Sequence, residues 1–343
     1  MPIMICHDQE ILDFLSYDNF NDQVCDDHIF NRFPVLRSSS DPDKLAKLRL
    51  FFSKLNLNMC LEPQQLWATE KPKLLLHSEK KSKNLELYNQ KKFIGVYWWS
   101  HAIIARDWFR YAEHDPNLQQ KQIKQNFLIY NRAWCGVREY RLKFAELIVQ
   151  QDLQNQCMMK FNPWDSGQHY QTHVYRNLNF TVDTKLEDYF MLNEHDATAS
   201  ADYVTTDYVN TGIEVVLETL FDDDRWHLTE KILRPIACGQ PFMLAATPGA
   251  LSYLRSYGFQ TFSPLINESY DSITDPVARL QAIIAEMRRI ADLDLEQRQI
   301  LFDQLREIAA HNRGWFFCSE FHHRITSELQ QNFAQALNHL QGT

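Results

Sequence analysis

Apolar and polar residues fall in blocks along this chain. Short apolar runs occur at 73–77 (KLLLH), 93–99 (FIGVYWW), 127–130 (FLIY), 215–217 (VVL) and 241–246 (PFMLAA). Each is bounded by polar or turn-forming residues, which is the signature of a buried strand. Helical spacing occupies the intervals. Leu45, Leu48, Leu50, Phe51 and Leu55 predict an amphipathic helix over 44–55. Ser100 suits an N-cap, and Ala102, Ile103, Ala105, Trp108, Phe109 and Ala112 make the apolar face of the helix it opens. Further helices are expected at 137–151, from Pro248 to a C-cap at Gly258, at 277–291 behind Asp275-Pro276, and at 294–310 and 317–339. Residues 203–209 and 260–262 read as two more strands, while 152–200 is less legible.

Strands alternating with helices imply an α/β architecture with largely parallel sheets. The polar stretch 115–124 opens with Asp-Pro and reads as a linker. Two Rossmann-like domains facing a cleft are therefore expected, 1–118 and 123–343, with the last helix packing back on the first. A length of 343 residues accommodates both. Neither Gly-x-Gly-x-x-Gly nor Gly-x-x-x-x-Gly-Lys-[Ser/Thr] occurs, which argues against a dinucleotide enzyme and a P-loop NTPase.

The net charge of −9 opposes non-specific nucleic-acid binding but leaves room for a local basic groove. No apolar run has the length of a bilayer span. The N-terminal MPIMICHDQE lacks the basic segment and apolar core of a signal peptide. Seven cysteines, none spaced Cys-x-x-Cys, read as reduced thiols, and a cytoplasmic location is expected.

The stretch 214–248 (EVVLETLFDDDRWHLTEKILRPIACGQPFMLAATP) organises the rest. It reads as strand, acidic loop, helix, Gly turn and second strand, a crossover unit of a parallel sheet. Its polar residues lie where the first strand hands over to the helix, the edge that carries ligands in open α/β sheets. Thr229-Glu230-Lys231 would occupy the first helical turn. Backbone N–H groups there favour an anion, Lys231 adds charge for a diphosphate, and Glu230 would accept from ribose hydroxyls. A capping box, with Thr229 at the cap and Glu230 in the first turn, explains the same residues without a ligand.

Glu218, Thr229-Glu230-Lys231, the apolar helix, Gly239 and Pro241 together resemble the donor-site motif of the α-1,3-fucosyltransferase family. The resemblance covers residues 214–248 only. Within it, His227 stands where the family has Tyr, and Thr219 follows Glu218 where the family usually has Asn. It implies a two-domain GT-B fold and an inverting transfer that needs no metal and no cofactor, with a nucleotide-diphosphate sugar as co-substrate. It further implies that Lys231 contacts the diphosphate, Glu230 the donor's sugar rings and Glu218 the fucose side, with His227 and Thr229 in the same donor site.

Five other constellations bear on chemistry. Arg132 and Arg138 flank a Gly-containing loop after the 127–130 strand and suit phosphate, whereas Arg141 is expected on a solvent-facing helix surface. An inverting transferase needs one general base. His101, Glu79 and Asp107 follow strands of the first half and are the candidates, with Asp107 alternatively orienting His101 or pairing with Arg106 or Arg110. Asp222-Asp223-Asp224 formally contains Asp-x-Asp, the metal motif of the GT-A fold, and is equally a solvated loop ahead of a helix. His169 and His173 would make half a zinc site. Finally, 258–262 and 268–271 are placed to line a nucleotide-base pocket, with Phe262 or Tyr270 beside the base. The expectation is a glycosyltransferase. Its acceptor would be a bacterial surface glycan or, since the chain resembles phage-encoded proteins, a hydroxymethylated base in phage DNA. The alternatives are a non-catalytic binding module on a transferase fold and a metal-dependent GT-A enzyme using Asp222 and Asp224.

Overall fold

A computed structural model describes residues 3–6, 35–37, 73–77, 79–81, 93–192 and 202–341. The expected helix over 44–55 lies outside the described residues. The chain is mixed α/β and divides into two compact units, Met1–Ile104 with His322–Thr343, and Ala105–Phe321. The expected linker at 115–124 lies within the second unit. It forms a single turn of 3-10 helix, Pro116–Gln119, capped by the Asp115 carboxylate accepting from the Asn117 N–H. No helix among the described residues is long and apolar enough to cross a membrane.

The first unit holds a parallel sheet of four strands, β1 (Ile3–Cys6), β2 (Val35–Arg37), β3 (Lys73–His77) and β4 (Phe93–Tyr97), in the order β2-β1-β3-β4. Trp98 and Trp99 follow β4 and are fully buried. Helix α1 (Ser100–Trp108) comes next, and the division between the units falls inside it. The final helix also contributes to this unit. Its Asn332 amide donates to the Tyr97 carbonyl at 2.8 Å, and its Glu328 pairs with Lys80 at 3.5 Å.

The second unit is built on five parallel strands: β5 (Gln125–Asn131), β6 (Cys157–Phe161), β9 (Met191–Leu192), β10 (Thr211–Leu217) and β11 (Phe242–Ala245). A two-stranded antiparallel hairpin, β7 (Trp164–Asp165) with β8 (Gln168–His169), stands apart from the sheet. Sheet order is β11-β10-β5-β6-β9. Counted within the unit this is 5-4-1-2-3, the doubly wound Rossmann order, whose direction of winding reverses between β5 and β10. All residues of β10 are buried, as are those of β5 after Gln125. That is why these strands read as continuous apolar runs, since a parallel sheet is covered on both faces. Gly212 in β10 is required by packing, because a Cβ there would lie 2.6 Å from the Phe302 ring.

The helices of this unit are α2 (Tyr140–Gln150), α3 (Thr205–Val209), α4 (Glu230–Cys238), α5 (Ala250–Ser256), α6 (Pro276–Ala291) and α7 (Leu295–Phe317), followed by α8 (Ser319–Gln341). Gly239 closes α4 in the left-handed region (φ 66°), where a side chain would be strained. Two expectations are corrected. Residues 203–209 supply the short helix α3 rather than a strand, because Asp207 and Tyr208 turn inward to hydrogen-bond Tyr130 and Glu214 at 2.9 and 2.7 Å. Residues 260–262 form no strand. The Asn312 side chain of α7 satisfies both the N–H and the carbonyl of Gln260 at 2.8 Å, taking the place of a neighbouring strand. The structure also adds β6, whose Lys160 interrupts an otherwise apolar CMMKF run and pairs with Asp207 at 3.3 Å.

Candidate anion-binding site

Two loops leave the carboxyl ends of the strands that flank the reversal. One runs from β5 to α2 and carries Arg132 and Arg138. The other runs from β10 to α4 and carries Glu218 through Thr229. Between them lies a cavity of about 100 Å³, lined by Tyr130, Arg132, Arg138, Arg141, Lys231 and Arg234 together with Glu214 and the end of β10. Five cationic side chains thus share one small cavity at the switch point, the place where doubly wound sheets bind ligands.

The cations differ in what already holds them. Arg234 and Glu214 form a buried ion pair at 2.7 Å, and Arg234 Nε donates to the Tyr208 hydroxyl at 3.0 Å. Burial alone would lower the Arg234 pKa, but Glu214 outweighs it and holds the guanidinium firmly charged. Arg141 is also buried, correcting the expectation of a solvent-facing charge. It donates to the carbonyls of Ala133 (2.6 Å), Leu217 (2.7 Å) and Glu218 (2.9 Å), tying the two loops together.

Arg132 and Arg138 are half-buried and present charge to the cavity. The Arg132 guanidinium lies 4.4 Å from the centre of the Tyr130 ring, and Arg234 lies 4.2 Å from the same ring. Arg138 makes one hydrogen bond among the described residues, Nε to the Cys135 carbonyl at 3.4 Å, so its terminal nitrogens have no protein acceptor there. Burial lowers the pKa of both, reinforced by the nearby like charges of Arg234 and Arg141 respectively. Arginines so shifted remain charged at neutral pH. An anion entering the cavity would relieve both the desolvation and the repulsion.

Of the residues of the 227–231 segment, Lys231 lines the cavity. Its ammonium also reaches the Glu230 carboxylate and lies 3.4 Å from Thr229 Oγ1. Glu218, Thr229 and Glu230 are buried. Glu218 accepts from the Thr229 N–H (2.9 Å), the Thr229 hydroxyl (2.7 Å) and the Thr219 N–H (3.1 Å). Thr229 is the N-cap of α4 and accepts from the Lys231 N–H at 3.3 Å. The segment therefore has the hydrogen bonding of a cap and, in Lys231, one side chain at the cavity. His227 is half-buried and does not line the cavity.

The acidic loop is differently disposed. Asp222 and Asp224 are exposed, with Asp222 accepting from the Asn177 amide at 2.7 Å. Asp223 is bound by Arg225 at 2.6 Å. His169 and His173 are taken by separate carboxylates, Glu187 at 2.9 Å and Glu139 at 2.8 Å. Among the described residues no three His, Cys, Asp or Glu side chains converge as a metal site requires. Cys135, Cys157, Cys238 and Cys318 are free thiols.

The base candidates are divided between the two units. Glu79 lies half-buried just past β3, and His101 lies past β4 at the start of α1, 3% exposed. Asp107 belongs to the second unit, is well exposed and pairs with Arg110 at 3.1 Å. Arg106 donates instead to carbonyls at the α7–α8 junction, those of Phe317 (3.0 Å) and Cys318 (3.1 Å) among them. A larger, open cavity of about 770 Å³ is bordered by Arg255, Thr261, Glu268 and Asp271. Phe262 and Tyr270 are buried in the core and do not line it. Burial pushes both carboxyls, Glu268 and Asp271, upward.

Sequence reasoning found Arg132, Arg138 and Lys231 but missed Tyr130, Arg141 and Arg234. The last was accessible: Lys231 and Arg234 are three apart on one helix and so share a face. Comparison of the chain with protein-family models, with curated proteins and with solved structures finds no match.

Proposed function

We propose that the second unit binds the diphosphate of a nucleotide sugar and that the chain is a glycosyltransferase. The cationic cavity at the β5/β10 switch point carries this reading. Arg132, Arg138 and Lys231 are the proposed phosphate ligands. Arg141 and Arg234, engaged by protein groups, hold the cavity's shape. The motif resemblance supplies the sugar half of the proposal: the two units serve as donor and acceptor halves of a GT-B enzyme acting in the cytoplasm. In a single displacement with inversion, an acceptor hydroxyl attacks the anomeric carbon as a base removes its proton. Negative charge then builds on the leaving diphosphate, where fixed cations lower the barrier most effectively. Glu79 and His101 are the proposed sources of the base.

The test is thermal denaturation of the full chain with GDP, UDP and ADP and their sugars, each with and without EDTA. A ligand present at a hundred times its Kd stabilises by about 2.7 kcal/mol, and ~2–4 °C accompanies each kcal/mol for a unit of this size. One nucleotide diphosphate should raise Tm by several degrees, with EDTA making no difference. No shift with any of them would reject the proposal, and a shift abolished by EDTA would favour the Asp222/Asp224 metal reading. Transfer of a labelled sugar to a surface glycan or to hydroxymethylated DNA then identifies the acceptor.

A further inference from the structure

The β7–β8 hairpin and Asn162, which leads into it, are hydrogen-bonded to the start of the 132–138 loop and to the end of β5. The Asn162 N–H donates to the Asn131 carbonyl at 3.0 Å, and the Trp134 indole donates to the Asn162 carbonyl at 3.0 Å. One carboxylate oxygen, Asp165 Oδ2, accepts from two successive backbone N–H groups, those of Trp134 at 2.7 Å and Cys135 at 2.6 Å. The hairpin turn that delivers Asp165 runs through Ser166 and Gly167, both at positive φ. Gly136 then turns the loop at φ 70°, toward Arg138. A loop with this conformation has few internal hydrogen bonds, so its shape depends on what grips it from outside.

We infer that Asp165 is a positioning residue that fixes the arginine loop so that Arg132 and Arg138 face the cavity together. This rests on the proposed phosphate site but concerns a residue that does not line it. The two N–H groups bonded to Asp165 lie in the sequence between the two arginines. The same carboxylate also places a negative charge near Arg138 without a direct ion pair, so it organises the cation without neutralising it. Burial would raise the Asp165 pKa, but the Cys135 and Trp134 N–H groups and Arg138 together bring it below the usual range. The clamp therefore stays ionised at neutral pH.

Three forms of the full chain test this: wild type, Asp165→Ala and Asp165→Asn. Two quantities are read, affinity for inorganic pyrophosphate by calorimetry and amide hydrogen exchange resolved by peptide. Asp165→Ala should weaken pyrophosphate binding by about tenfold, the loss of charge-assisted hydrogen bonds expressed as affinity. Exchange should accelerate at 131–138 while β5, β10 and α4 keep their protection. Asp165→Asn keeps an acceptor and should restore both to near wild type. Three outcomes overturn the inference: affinity within twofold of wild type in Asp165→Ala, unchanged exchange in the loop, or faster exchange throughout the unit. If wild type binds no pyrophosphate while Asp165→Ala still frees the loop alone, the clamp stands and the nucleotide-sugar proposal fails.

Discussion

The two loops at the switch point handle charge in opposite ways. The loop after β5 is gripped by the hairpin and presents Arg132 and Arg138, one of which has terminal nitrogens with no protein acceptor among the described residues. The loop after β10 pairs its charged side chains largely with its own residues and those of α4. Glu218 binds Thr229 and Thr219, Thr229 caps α4, and Glu230 holds Lys231. The stretch with the recognisable motif is thus largely occupied with its own architecture, while the loop with no motif presents two arginines to the cavity. Ligand affinity should follow the first loop, and stability the second.

The largest effect should come from replacing both presented cations. A hydrogen bond to a charged group is worth about 1.5–3 kcal/mol. Arg132→Ala with Arg138→Ala should therefore weaken nucleotide-diphosphate binding at least about a hundredfold in calorimetry, with Tm little changed. Retained affinity would reverse the assignment of the two loops. Next in size is Glu218→Ala. It strands the N–H groups of Thr229 and Thr219 at about 1–3 kcal/mol for each one left buried and unpaired. A fall in Tm of several degrees should result, read by calorimetric melting, and an unchanged Tm would deny that Glu218 holds this loop.

Lys231→Ala should cost less, about 1 kcal/mol or a few-fold in affinity, because Glu230 already balances the ammonium. A loss matching the double arginine variant would return the leading role to the motif. The smallest effect on binding is expected at the opposite, amino edge of the sheet. There Lys121 donates to the Tyr208 carbonyl at 2.7 Å and to Gln240. Burial lowers its pKa from 10.5 to about 8. The folded state thus sheds a proton that the unfolded chain keeps, so this group's contribution to stability rises as pH climbs from about 8 to 10.5. Lys121→Met should flatten that rise in denaturant titrations and leave ligand affinity alone.

The strands and crossovers were legible because parallel strands buried on both faces leave uninterrupted apolar runs, as in FLIY and VVL. The strand, loop, helix and turn of 214–248 are legible in the sequence down to Gly239. Where long-range partners decide, local pattern failed. Thr205–Val209 has the β-branched look of a strand, but inward bonds from Asp207 and Tyr208 fold it into a helix. Gln260 lacks a strand because a side chain 52 residues away satisfies it. The site was half legible for the same reason. Arg132 and Lys231 announce themselves by position after strands, whereas Arg141 looks like any surface helix charge until its three carbonyl partners are in place. Asp165 carried no signal, since its partners belong to a loop distant in sequence.

The strand order also governs when the cavity can exist. Its two walls belong to β5 and β10, strands adjacent in space but separated in the chain by β6, the hairpin and β9. Contacts between segments so far apart are formed late, because the intervening chain must first lose its freedom. β5 can pair with β6 without β10, yet Arg132 shares a cavity with Lys231 only once β10 has docked on the far side of β5. A nascent chain that has not yet released β10 and α4 from the ribosome has the arginine loop but no cavity. The cavity is consequently a property of the completed sheet.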